Sequence, residues 1–235
     1  MSGYIVLEGG AEFGGRMAEV DRRAIELAGG TSALISIIPT AAAADNNHQR
    51  AGGNGVRWFG GLGATNVASL PLIDKVSAND TAIVDTMRRS RLIYLLGGFP
   101  GYLGQTLMGS QAWQAALDAY TNGAVIAGSS AGAMVMCQYY TDSGSKTPVA
   151  GLGLVPGACV LPHHNTFGKI WAARVAKQLP GVVLLGIDER TGMIDDGDKA
   201  QGTPWRIYGK GAITLYHDGK PTIYRTGESF DYMAK

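Results

Sequence analysis

Short apolar runs alternate with amphipathic stretches along most of the chain, and each run stops at glycine, proline or a polar cluster. Tyr4-Ile5-Val6-Leu7, residues 33–38, 66–70 and 92–96, and Ala124-Val125-Ile126-Ala127 are runs of this kind. Short, apolar and bounded by turn residues, they predict buried parallel strands. Between them the period lengthens. Residues 16–28 put Met17, Val20, Ala24 and Leu27 on one face, and Gly29-Gly30 stops the helix they predict. A short helix is predicted at 56–62, one from the cap candidates Ser77-Ala78-Asn79-Asp80 through Arg88-Arg89, and a long one at 105–120. Residues 41–55, polar and glycine-rich, read as a loop carrying His48.

Further along, 141–149 is polar and loop-like, and 158–161 and 182–187 are again strand-like. Phe167, Ile170, Trp171, Val175 and Leu179 mark one face of a helix between those two runs. Residues 193–232 hold short strands with hairpin signals, His217-Asp218-Gly219-Lys220 among them. The alternation predicts an α/β fold: a doubly wound, mostly parallel sheet with β-hairpins near the C-terminus. One domain over 1–235 is expected, with no repeats and no low-complexity linker.

Composition narrows the function. The chain has 235 residues, 46% hydrophobic and 17% charged, enough to bury a large core. A net charge of +1 with no Lys/Arg cluster argues against nucleic acid as a partner. No apolar stretch is long enough to span a membrane, and the start lacks a basic-then-apolar signal pattern, so a cytoplasmic location is expected. Cys137 and Cys159 sit in apolar surroundings without metal-ligand spacing and read as buried free thiols. No metal or cofactor is implied.

The chemistry centres on Gly128-Ser129-Ser130-Ala131-Gly132, which follows the last of the first five runs and precedes an Ala/Met-rich stretch. G-x-S-x-G between a strand and a helix is the corner that exposes a strained serine, although the same five residues also suit an ordinary tight turn. Ser130 is the candidate nucleophile. The N–H of small Ala131 is free to face a substrate carbonyl, with the helix dipole beneath it. Gly98, in Gly97-Gly98-Phe99-Pro100-Gly101 after the fourth run, is a second N–H candidate for an oxyanion hole. Two more runs end in titratable groups: His163-His164, and Asp188-Glu189. A parallel sheet would bring these ends to one edge, where a serine finds a base and the base finds an acid. The order is Ser, His, acid, which differs from the Ser, acid, His order of the α/β-hydrolases.

These stretches, with Gly151-Leu152-Gly153-Leu154 and Gly186-Ile187, resemble the dipeptidase E/cyanophycinase family of serine peptidases over nearly the whole chain. That family shares the three-layer α-β-α fold of class I glutamine amidotransferases. The resemblance implies Ser130 as nucleophile, His163 as base, Glu189 as acid, and Gly98 and Ala131 as oxyanion hole. His164 stands where the family has an aromatic, so His163 and His164 both remain base candidates, and Asp188 is the alternative acid. Cyanophycinases carry an acidic or amide residue and then glutamine after the Gly-Gly; here Phe99-Pro100 stands instead. Phe99, Pro100, His48, His164 and Arg174 are candidate substrate contacts, and Arg50, Arg174 and Arg190 are candidate cations for an acidic substrate. The expected function is a serine exopeptidase or dipeptidase acting on short peptides, Asp-containing or β-aspartyl ones among them. An esterase or amidase with the same triad, or a non-catalytic binding protein of the same fold, are the alternatives. The expected partner is a small peptide, and a homodimer is compatible with the sequence.

Overall fold

The five leading runs form strands that share one sheet, four of them buried on both faces and the third at the edge. They are β1 (Tyr4–Glu8), β2 (Ile35–Ile38), β3 (Val67–Ser69), β4 (Leu92–Leu95) and β5 (Val125–Ser129), in a computed structural model that describes residues 3–142, 144–197 and 204–233. They pair in parallel in the order β1-β5-β4-β2-β3. Alternate residues point to opposite faces. Ile5, Leu7, Ile93, Leu95 and Ile126 therefore join one core, and Val6, Leu92, Tyr94, Val125 and Ala127 the other. On the second face lie α1 (Met17–Leu27), through Met17, Val20 and Ala24, and α2 (His48–Gly61), through Phe59. On the first lie α3 (Thr81–Arg89), α4 (Pro100–Leu107), α5 (Gln111–Thr121) and α6 (Ala131–Met136). The result is three layers, α-β-α.

The rest of the chain adds mostly antiparallel strands. A small hairpin pairs β6 (Tyr139–Tyr140) with β7 (Val149–Ala150). β8 (Ala158–Leu161) and, after α7 (Ala172–Gln178), β9 (Val183–Ile187) run parallel to each other. They do not join the large sheet. With β12 (Ala212–His217) and β13 (Lys220–Arg225) they form a separate four-stranded sheet in the order β13-β12-β9-β8. The large sheet instead gains β10 (Thr191–Ile194), β11 (Trp205–Gly209) and β14 (Ser229–Phe230), for the order β14-β11-β10-β1-β5-β4-β2-β3. The predicted hairpin at His217-Asp218-Gly219-Lys220 links β12 to β13. Residues 198–203, within the region where hairpins are predicted, lie outside the described residues.

Four expectations change. The three chemistry-bearing runs do not end on one sheet edge: β5 belongs to the large sheet, and β8 and β9 to the small one. The expected loop at 41–55 is largely helical, with α2 beginning at His48. Its glycines serve close packing. A methyl on Gly52 would meet Ser69 Oγ at 2.1 Å, and one on Gly55 would meet Ile37 Cγ2 at 3.0 Å. The long helix expected at 105–120 is two helices, parted at left-handed Gly109, and the Ser110 side chain accepts from Trp113 N–H to cap the second. Finally, Phe167 and Ile170 do not share a buried face with Val175. They are exposed, and the segment begins as a 3₁₀ turn over Gly168–Trp171.

Candidate active site

β5 delivers Ser129 and Ser130 to the start of α6. Ser130 has φ 48° and ψ −110°, a conformation that strains a non-glycine residue and aims its side chain out of the turn. The corner closes only because Gly132 lacks a side chain: a methyl there would lie 2.1 Å from the carbonyl oxygen of Leu95. The main chain pins the corner. Ser130 N–H donates to the Glu8 carbonyl at 3.0 Å, and Met134 N–H to the Ser130 carbonyl at 3.0 Å.

From the other sheet come the partners. His163 follows β8 in a left-handed conformation, φ 50°, and its N–H donates to the Gly9 carbonyl at 2.7 Å. Its ring lies over Gly10, where a methyl would meet Cε1 at 2.3 Å. Nε2 is 3.0 Å from Ser130 Oγ, and Nδ1 is 2.8 Å from Glu189 Oε1. Phe167 stacks on the imidazole with centroids 4.8 Å apart. Glu189 follows β9; its N–H donates to Asn165 Oδ1 at 2.9 Å, and the next residue, Arg190, donates its N–H to the Gly10 carbonyl at 3.0 Å. Thus the structure brings Ser130, His163 and Glu189 into one hydrogen-bonded chain. It does not bring His164 or Asp188 there. His164 is buried, 2.9 Å from Tyr216 Oη and 3.5 Å from Asp188 Oδ1, while Asp188 Oδ2 accepts from Ala212 N–H.

The two N–H candidates flank the serine. Gly98 has φ 140°, and a methyl on it would strike the Ala41 carbonyl oxygen at 2.4 Å, so only glycine fits. Neither Gly98 N–H nor Ala131 N–H is engaged in a turn, cap or side-chain hydrogen bond within the described residues.

Two cavities meet at Gly98. One, about 410 Å³, contains Ser130 and His163 and is walled by Pro100, Met134, Trp171 and Arg174. The other, about 790 Å³, is lined by Glu12, Phe13, Arg50, Trp58 and Phe99. Of the candidate contacts, Pro100 and Arg174 therefore border the serine's cavity and Phe99 the neighbouring one, which also takes Arg50. His48 and His164 line neither. Arg190 lies in the left-handed turn after β9.

Sequence reasoning missed several participants. Asn165 and the Gly9–Gly10 carbonyls orient the His163 and Glu189 segments. Beneath the serine, Glu8 and Asp21 are wholly buried side by side. Tyr94 Oη donates to Glu8 and Trp58 Nε1 to Asp21 at 2.7 Å. Burial, reinforced by the Asp21 charge, pushes the Glu8 carboxyl well above the carboxylate range. Burial also raises Asp21 to about 7. The only sequence signal was a glutamate ending an apolar run. Cys137 and Cys159 are free and buried, and burial pushes both thiols up, Cys159 to about 12. Among the described residues no group of three or more His, Cys, Asp or Glu side chains could hold a metal ion, and no helix is long and apolar enough to cross a membrane.

Comparison with known proteins converges on one group. A family model described as Peptidase family S51 matches residues 5–202. A cyanophycinase from Geminocystis herdmanii is 29% identical, covering 94% of this chain and 82% of that protein. A cyanophycinase from a Nostoc species is 28% identical, covering 90% and 72%. The crystal structure of a peptidase from an acI-B1 Actinobacterium superposes with a TM-score of 0.87 at 28% identity, covering 98% of this chain and 97% of that one.

Proposed function

The chain belongs to peptidase family S51 and is a serine-type peptidase, and from that premise we propose that it is an exopeptidase or dipeptidase working through Ser130, His163 and Glu189. The observation that carries this reading is the chain of contacts from Ser130 Oγ to His163 Nε2 at 3.0 Å and from His163 Nδ1 to Glu189 Oε1 at 2.8 Å. Ser130 Oγ attacks the peptide carbonyl carbon while His163 takes its proton. Glu189 accepts from Nδ1–H, holding the tautomer that leaves Nε2 basic, and stabilises the imidazolium that forms. The oxyanion rests on the Gly98 and Ala131 N–H groups. His163 then gives its proton to the leaving amine, an ester to Ser130 remains, and water deprotonated by His163 hydrolyses it.

The substrate is a short peptide, Asp-containing and β-aspartyl peptides being the first to try. The relatives named as cyanophycinases support the class, and Phe99-Pro100 offers no side-chain donor at the rim. An esterase or amidase reading draws on the apolar walls that Pro100, Met134 and Trp171 give the serine's cavity. One experiment separates these. Wild type and Ser130→Ala are assayed on α-Asp-X, β-Asp-Arg and neutral dipeptides and on acyl esters. Peptide cleavage by wild type alone supports the proposal. Ester cleavage without peptide cleavage favours the second reading, and undiminished activity in Ser130→Ala removes the mechanism.

A further inference from the structure

Glu12 has no part in the triad, yet it is held beside it. It sits between Ala11 at φ 57° and Phe13 at φ 63°, two non-glycine residues in the left-handed region. Strain of this kind persists only where the surroundings enforce it, and it clusters at functional sites. Glu12 Oε2 accepts from Ser129 Oγ, the residue before the nucleophile, at 3.0 Å. Its other oxygen packs close to Gly97, whose missing side chain lets the carboxylate approach the nucleophile. A methyl placed on Gly97 would meet Glu12 Oε1 at 2.9 Å, Ser130 Cβ at 3.4 Å and the Ser129 carbonyl oxygen at 3.6 Å. The carboxylate oxygen is therefore within about 6.3 Å of the nucleophile's Cβ.

A negative charge this close to a developing oxyanion repels it and slows acylation, unless the substrate supplies a positive charge to offset it. We propose that Glu12, with the Ser129 carbonyl, binds the free α-ammonium of the residue whose carbonyl Ser130 attacks, and so selects substrates with an unblocked amino terminus. This rests on the reading of Ser130 as nucleophile. The distance decides which cation is meant. An α-ammonium is two bonds from the scissile carbonyl carbon, so with that carbon at Ser130 it stays near Glu12, where the two cavities meet at Gly98. A lysine or arginine side chain carries its charge several bonds further out, into the larger cavity, where Arg50 and Arg57 offset the charges of Asp45 and Glu12. Gly97 lets the carboxylate approach, Ser129 orients it, and Gly98 beside it donates to the oxyanion.

The test uses diphenyl α-aminoalkylphosphonates, in which Ser130 Oγ displaces phenoxide from phosphorus. Three probes are compared: a leucine analogue with a free amine, its N-acetyl form, and an N-acetyl-lysine analogue whose only cation is the side chain. Rates of Ser130 labelling are followed by intact mass in wild type, Glu12→Gln and Gly97→Ala, with Ser130→Ala as the unlabelled control. Wild type should label about tenfold or more faster with the free amine than with the acetylated leucine probe, the range expected for a desolvated charge pair. That ratio should fall to between about one and three in Glu12→Gln. Gly97→Ala, which keeps the carboxylate but sets a methyl 2.9 Å from Glu12 Oε1 and so displaces it, should lower it as well, so the test stands even if one variant folds poorly. Equal labelling by both leucine probes in wild type, or an unchanged ratio in a folded Glu12→Gln, overturns the proposal and leaves Ser130 as nucleophile. A Glu12-dependent preference for the N-acetyl-lysine probe overturns it too. No labelling of Ser130 by any probe removes the nucleophile reading and this proposal together.

Discussion

Two histidine–carboxylate pairs stand side by side in this protein, built from consecutive residues. His163 faces Glu189 at 2.8 Å, and His164 faces Asp188 at 3.5 Å. Both pairs bridge the ends of the parallel strands β8 and β9. Each pair joins an imidazole to a carboxylate, but the surroundings differ. The first pair is partly exposed, stacks against Phe167 and ends on a serine. The second is buried, and its ring meets Tyr216 of β12. His163 is left-handed, and that turn sends the two neighbouring rings apart, one to Ser130 Oγ and the other to Tyr216 Oη. What a histidine can do here is set by what its second nitrogen reaches.

The comparison breaks most sharply at the histidines. His163→Ala is expected to lower kcat/KM on the best dipeptide by about 10⁴-fold or more, the usual loss for a base in a serine triad. His164→Ala should keep kcat within about threefold and lose about 1–3 kcal/mol of unfolding free energy, the size of an emptied buried site with an orphaned hydroxyl. Parallel hydrolysis assays and urea titrations check both, and an inactive but fully stable His164→Ala would reverse the assignment. The carboxylates should divide the same way. Glu189→Gln is expected to reduce kcat by about 10²–10⁴-fold, whereas Asp188→Asn leaves it within about threefold.

A third acidic site sharpens the contrast, because Glu8 and Asp21 form a pair with no histidine at all. Burial raises Asp21 to about 7, against about 3.9 for an exposed aspartate. Between those values the folded chain keeps a proton that the unfolded chain has lost. The Asp21 contribution to stability should therefore be full below about pH 4 and decline as pH rises toward 7, with Glu8, raised by the same burial, adding a loss in the same direction. At about 1.4 kcal/mol per unit of displacement, the decline is of the order of a few kcal/mol. Asp21→Asn should flatten it, as unfolding free energies at pH 5 and pH 8 would show. An equal slope in the variant would mean that other groups carry the dependence. The smallest expected effect is at Phe167→Ala, which unstacks His163 and should lower kcat/KM by about three- to tenfold through looser placement of the ring.

How much of this was legible in the sequence varied with the range of the interactions involved. The serine corner was readable because its requirement is local: a strained residue with a glycine close on each side. The first five strands were readable because their burial shows as unbroken apolar runs. The separate small sheet was not, since a run does not say which strand it will pair with. His163 and His164 stayed equivalent because the choice turns on one left-handed residue and on contacts with Gly9 and Gly10, far away in the chain. The first half of α2, 48–55, was read as a loop because glycine usually marks flexibility, whereas here it lets the helix approach Ile37 and Ser69. Glu12 gave no signal, since what singles it out is a hydroxyl on Ser129 and the close approach that Gly97 allows its carboxylate.

The carbonyls of Glu8, Gly9 and Gly10 each hold one of the three segments that carry Ser130, His163 and Glu189. Three consecutive residues thus act as a single jig for groups drawn from two sheets. Assembly of the hydrolytic centre should accordingly be all-or-none: a chain that has not yet docked this strand end lacks the common reference and holds no partial triad. A half-folded or nicked molecule would then be silent toward peptides rather than loosely active, and catalysis itself becomes a readout that the whole chain has found its native arrangement.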